Sequence, residues 1–199
     1  MKFMKKLFFI IIVFGAAFYW YQQKFDTVSF GEGIKVSTLP QQTKTQASPF
    51  NHQGYQIIPL YDFGLQAKVL SKKSYRDHLS DIGPIDIALG WNQMSDEAVL
   101  KDIHISQRGR WYYWKTPQFP IPRKNIETSS ANMHLIHAND KVKAAIAKVK
   151  KGQIIELYGQ LVKVKKQGRV VWKSSTTRND TGGGACEVIY VRSFKVVEP

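Results

Sequence analysis

Between Leu7 and Tyr21 the chain is almost wholly apolar, and it carries no charge as far as Gln23. Seventeen helical residues at about 1.5 Å each reach roughly 26 Å, enough for a hydrocarbon core of about 30 Å when flanking lysines snorkel. Lys2, Lys5 and Lys6 stand before the run, and Phe18-Tyr19-Trp20-Tyr21 closes it as an aromatic belt. The pattern predicts a single transmembrane helix with a cytoplasmic N-terminus and an exported remainder. Gly15-Ala16-Ala17 offers a signal-peptidase site as a competing reading. Cleavage there would leave four aromatic residues exposed, so an uncleaved anchor over 1–24 is expected. No cysteine lies near the segment, which excludes a bacterial lipoprotein.

Residues 25–53, with "TLPQQTKTQASP" at their centre, show neither period and predict a flexible leash. From residue 54 to 199 the pattern predicts one domain. "YQIIPLYDF" and "LQAKVLSKKSY" read as β-rich runs separated by Gly64, a bent hairpin or a long coiled strand pair, and "MSDEAVLKDI" as a short helix with Ser95 as N-cap. "RWYYWK" and "NMHLIHA" read as strands joined by an extended, proline-broken connection, "TPQFPIPRK". In "KVKAAIAKVKK" the residues Val142, Ala145, Ile146 and Val149 share one face of a helix, with Asp140 as its cap and Gly152 at its close. "QIIELYGQLVKV" and "RVVWKSS" predict a hairpin around Lys165 to Gly168, whose first strand changes its buried phase at Gly159, as a bulge or bend would require. "ACEVIYVRSF" is the last strand. The expected fold is α+β, mainly β: a small closed β-barrel of the oligonucleotide/oligosaccharide-binding (OB) type with one capped helix, behind the membrane anchor.

Charge adds a surface to this picture. The 29 Lys and Arg and 15 Asp and Glu of the 199 residues give +14, and without the four lysines up to Lys24 the remainder keeps 25 against 15, or +10. Lys141 to Arg178 holds eleven basic residues and one acid, Glu156. This predicts a basic face including Lys163, Lys165, Lys166, Arg169 and Arg178, suited to a membrane surface, an acidic protein or a cell-wall polymer, with nucleic acid the least favoured. One cysteine, Cys186, excludes an internal disulfide.

The candidate chemistry is sparse. Trp111 and Tyr113 share one face of their strand and Tyr112 and Trp114 the other, so one face belongs to the core and the other is free to stack on sugars or bases. Asn132 and His134 share a face and form a possible polar site. Cys186, with His134, His137 or Arg192, is the alternative: a nucleophile of transpeptidase or hydrolase type. The sequence pattern favours a packed thiol instead, in a final strand alternating Cys186, Val188, Tyr190 with Glu187, Ile189, Val191. "DTGGGACE" reads as a glycine-rich bend into that strand, or as an anion nest. Asp180-Thr181-Gly182 copies the aspartic-protease triplet but lacks its apolar lead and second lobe. No third ligand completes a zinc site and no nucleotide fingerprint is present, so no metal or cofactor is expected.

The anchor, the barrel, an upstream histidine and a cysteine on a strand faintly resemble sortases, although "GGGAC" departs from the Thr-Leu-x-Thr-Cys signature and Arg192 follows too closely. Together "DIALGWNQMSD", "ISQRGRWYYW", "SSANMHLIHAND" and "DTGGGACE" are similar to the blocks of an uncharacterised family of short, membrane-anchored proteins from Gram-negative bacteria. That resemblance, over most of residues 55 to 192, implies an inner-membrane anchor with a periplasmic domain and brings no activity with it.

Overall fold

A computed structural model describes residue 8 and residues 10–15, 27–177 and 186–198. Two short strands, β1 (Gln41–Lys44) and β2 (Phe50–His52), lie antiparallel against β3 (Tyr55–Ser74), the strand that organises the domain. The two runs expected to part at Gly64 are one continuous strand of 20 residues. It changes partner along its length: residues 56–68 pair with β8 (Ile154–Lys166) and residues 68–74 with β4 (Ile85–Gly90). β4 pairs with β7 (Ser130–His137), β7 runs parallel to β10 (Glu187–Val197), and β10 lies antiparallel to β8. The hydrogen-bonded order β3-β4-β7-β10-β8 therefore returns to β3 as a ring. β9 (Arg169–Lys173) extends β8 through the predicted hairpin, with Gln167 and Gly168 both at positive φ. The domain is mainly β.

All five ring strands send alternate side chains into one cluster, including Phe63, Leu65, Leu89, Leu135, Leu157 and Ile189. The predicted helix, α3 (Asp140–Lys148), covers that cluster with Val142 and Ile146. Its cap is Asn139, whose Oδ1 accepts from the Val142 N–H at 3.0 Å; Asp140, the expected cap, is the first-turn acid. The phase change at Gly159 is a close approach. A Cβ there would fall 2.2 Å from the Tyr190 carbonyl oxygen, and β10 shifts register between Val191 and Ser193.

Three local expectations are corrected. Ser95 is not a helix cap: α1 (Glu97–Leu100) is capped by Asp96, whose carboxylate accepts from the Ala98 N–H at 2.8 Å. The connection after Lys115 is not extended throughout, because α2 (Arg123–Thr128) forms behind Pro122 and buries Ile126. The leash is not loose from residue 27 onward. Its first part is hydrogen-bonded to the domain, and β1 and β2 are strands of the sheet.

Of the apolar run near the N-terminus, residues 8 and 10–15 are described; they are helical, and Phe8, Ile10, Ile11, Ile12, Val13 and Phe14 are all exposed. Among the described residues no helix is long and apolar enough to cross a membrane. Most of the expected anchor, and "DTGGGA" from 180 to 185, lie outside the described residues.

Candidate functional site

The second sheet is a hairpin, β5 (His104–Arg108) and β6 (Trp111–Lys115), inserted between β4 and β7. Strand alternation divides its aromatic side chains as expected. Trp111 and Tyr113 turn outward and are 41% and 45% exposed, whereas Tyr112 and Trp114 pack toward Leu70, Met94, Ile103 and Ile126. Burial pushes the Tyr112 phenol up to about 12, and its hydroxyl donates to Ser130 Oγ at 3.1 Å.

Arg110, in the hairpin turn, fastens this element to the ring. Its Nε and Nη2 donate to the two oxygens of Asp77, both at 2.8 Å, and Nη2 also to Ser80 Oγ at 3.2 Å. Its Nη1 donates to the Gly83 carbonyl at 2.7 Å and to Asp86 Oδ1 at 2.8 Å. The guanidinium carbon lies 4.4 Å from the Tyr75 ring centre and 5.3 Å from that of Trp172. Hydrogen bonds from Arg110 hold the Asp77 carboxyl below the usual carboxylate range. The sequence did carry a signal for this clasp: Asp86 interrupts the apolar run "IDIAL", and a buried carboxylate requires a cation.

Between the hairpin, α2 and the start of β7 opens a cleft of about 790 Å³, with Trp111, Tyr113, Trp114 and Phe119 on its walls. Trp114 and Phe119 meet edge-on at 6.1 Å, and the Arg123 guanidinium stands 5.8 Å from the Trp114 ring centre. Lys115, Glu127, Asn132, Thr177 and Cys186 add polar groups. Phe119 and Arg123 come from the proline-rich connection, whose helix carries no periodic signal.

The expected site residues separate in space. Trp111, Trp114 and Asn132 meet at the cleft. Asn132 is buried and fixed, its Oδ1 accepting from Gln107 Nε2 at 2.7 Å and its Nδ2 donating to the Arg110 carbonyl at 3.1 Å. His134, on the same strand face, does not join them. It is buried beside Trp172, with ring centres 4.8 Å apart, and its Nδ1 faces Asp86 Oδ2 at 2.9 Å without the alignment of a hydrogen bond.

Cys186 was expected among apolar neighbours; it is partly exposed and lines the cleft, because it precedes the strand whose sheet contacts begin at Glu187. The register pairs Val188 with His134, which places Cys186 two residues earlier, beside Asn132.

Lys163 and Lys165 project from β8, where Lys163 pairs with Lys173. Lys166 donates to the Tyr55 hydroxyl at 2.9 Å, Arg169 sits opposite it across the turn, and Arg178 lies outside the described residues. Lys148 ends α3 just before β8 begins at Ile154, whereas Lys163 to Lys166 close β8, nine or more residues along the strand. One basic run in sequence is thus spread over a helix and the far end of a strand.

Among the described residues no group of three or more His, Cys, Asp or Glu is arranged to hold a metal ion. Comparison with protein-family models, with curated proteins and with solved structures found no match.

Proposed function

We propose that this protein is a single-pass, membrane-anchored periplasmic binding domain that holds an acidic cell-wall polymer in its aromatic cleft. The observation that carries this reading is the cleft wall, where Trp111, Tyr113 and Phe119 are half-exposed around an open volume of about 790 Å³. Exposed rings of this size stack on the faces of sugars, and Lys115 beside them supplies a cation for a carboxylate, while Arg123 already donates to Glu127 at 2.8 Å on the same wall. From Thr177 on the cleft, the chain leads back to Lys173 and the lysines of β8, about 13 Å along an extended segment.

The fold supports the same reading by analogy. A ring ordered β3-β4-β7-β10-β8, one parallel pair between β7 and β10, and a helix between β7 and β8 are the features of an OB-like barrel. Such barrels bind oligosaccharides and oligonucleotides on the equivalents of β4 and β7, the strands the hairpin and cleft adjoin. The exposed apolar helix at residues 8 and 10–15 supports the anchor.

The test uses the full chain in neutral-lipid nanodiscs, co-sedimented with purified cell-wall sacculi. Trp111→Ala should weaken binding about three- to tenfold, corresponding to roughly 0.5–1.5 kcal/mol for one stacked ring. Raising salt toward 1 M should weaken it further, as the Debye length shrinks to about 3 Å. Undiminished binding by Trp111→Ala/Tyr113→Ala would sink the proposal.

A further inference from the structure

The chain is captured by its own domain almost as soon as the apolar run ends. The Val28 N–H donates to the Lys151 carbonyl at 2.8 Å, and Gly152, at φ +88, passes so close that a Cβ would fall 1.8 Å from the Val28 carbonyl oxygen. The Phe30 N–H donates to Glu97 at 2.8 Å and the Gly33 N–H to Asp96 at 2.7 Å. The N–H groups of Lys35 and Val36 both donate to the buried Ser95 Oγ, at 3.1 and 3.0 Å. Glu97 is held in turn by Lys68, whose side chain is 4% exposed, at 2.8 Å.

From Gln23 to Val28 the chain has five residue steps, a reach of at most about 18 Å. A domain of this length is roughly 40 Å across. The tether is shorter than the body it holds, so an anchor ending at Gln23 keeps the end that grips Val28 near the bilayer. That end is basic. Lys101 and Lys151 line a groove together with Val28, Lys148 ends α3, and Lys150 precedes Lys151 in the connection after it; all four lysines are exposed. The acids nearby are Glu32, 3.6 Å from Lys101, the exposed Asp102, Asp96, whose carboxylate accepts from the Gly33 and Ala98 N–H groups, and Glu97, which Lys68 already neutralises, so the four lysines still outnumber the acids that remain.

We propose that Lys101, Lys148, Lys150 and Lys151 form a docking face for anionic lipid headgroups, so that the domain lies on the membrane instead of swinging above it. The proposal rests on the anchor reading. The headgroups are favoured over an acidic protein because the tether delivers this face to within a few Debye lengths of the lipid surface, whatever else is present.

The experiment places one thiol, at Lys151→Cys or Lys165→Cys, in the full-length Cys186→Ala chain, and labels it with a fluorophore in nanodiscs containing headgroup-quencher lipid. In discs containing phosphatidylglycerol, residue 151 should be quenched several-fold more than residue 165. The difference should collapse in all-neutral lipid, near 1 M salt, or when Lys148→Glu and Lys150→Glu are added. Equal quenching at the two positions, preferential quenching at 165, or indifference to lipid charge overturns docking. A carbonate wash separates the two ways of failing. A chain that washes off the membrane refutes the anchor and with it the docking face, whereas a chain that stays while residue 151 is unquenched refutes docking alone.

Discussion

An arginine with an acceptor for each of its five N–H groups and two aromatic rings beside its guanidinium cannot be replaced by lysine, whose ammonium is neither planar nor forked. Arg110→Lys should cost about 3 kcal/mol, since it leaves Asp86, fully buried, without the hydrogen bond from Arg110 Nη1 and breaks the bidentate pair with Asp77. Denaturant unfolding of the full chain, followed by tryptophan fluorescence, measures this, and a loss below about 1 kcal/mol would show that the clasp is dispensable. Glu97 makes a different prediction. Burial works to raise its pKa, but hydrogen bonds from Lys68, Ser29 and the Phe30 N–H outweigh burial and bring it from 4.5 down to about 2. Its contribution is therefore complete above pH 4.5 and is lost as pH falls toward 2, where the unfolded chain takes up its proton first. Glu97→Gln should flatten that part of the stability curve and leave the part belonging to Asp77, whose pKa is also lowered.

At the scale of elements, the strap from Val28 to Val36 and the hairpin from His104 to Lys115 are held by polar contacts and by apolar packing, Val36 in the main cluster and Ile105, Tyr112 and Trp114 against Leu70 and Ile126, and not by a sheet of their own continuous with the ring. Gly152→Ala tests the strap. The new Cβ meets the Val28 carbonyl, and φ +88 disfavours any side chain, so the strap should detach while the ring persists. Hydrogen exchange at the Val28 amide should quicken by an order of magnitude or more, with little change at Ile189 in the ring. Gly159→Ala acts on the ring itself, because its Cβ would strike the Tyr190 carbonyl between β8 and β10. Its expected cost is above 2 kcal/mol, spread over the whole unfolding transition.

For the whole molecule, the strap and the cleft belong to one arrangement. Ile105, which borders the groove under the strap, pairs across the hairpin with Trp114, which borders the cleft. A docked domain would therefore hold its cleft one hairpin width from the strap. The orientation requires an exported C-terminus. A reporter active only outside the cytoplasm, fused after Pro199, should be active, and the mature chain should retain its first residues; an inactive fusion, or a chain beginning at Phe18, would contradict the topology.

How far the sequence reached follows from what sets each feature. Period-two alternation marked β6, β7, β8 and β10, and the apolar stripe of α3 marked its buried face, because both depend on spacing along the chain. Gly159 and the Gln167-Gly168 turn were legible for the same local reason. The cleft was not. Its aromatic wall was visible in "RWYYWK", but Phe119 and Arg123 join it only because α2 folds behind Pro122, a turn without periodicity. Composition made residues 27–53 look like a leash because their hydrogen-bond partners, Ser95, Asp96, Glu97 and Lys151, lie some sixty to more than a hundred residues away. The basic run from Lys141 to Arg178 looked like one face, but the 13 residues of β8 separate Lys148 at the end of α3 from Lys166 and Arg169 at the turn. Apolar spacing is written along the chain, so the sequence alone determined β6, β7, β8, β10 and α3. Which polar groups meet depends on where those elements pair, and only the tertiary structure decided that.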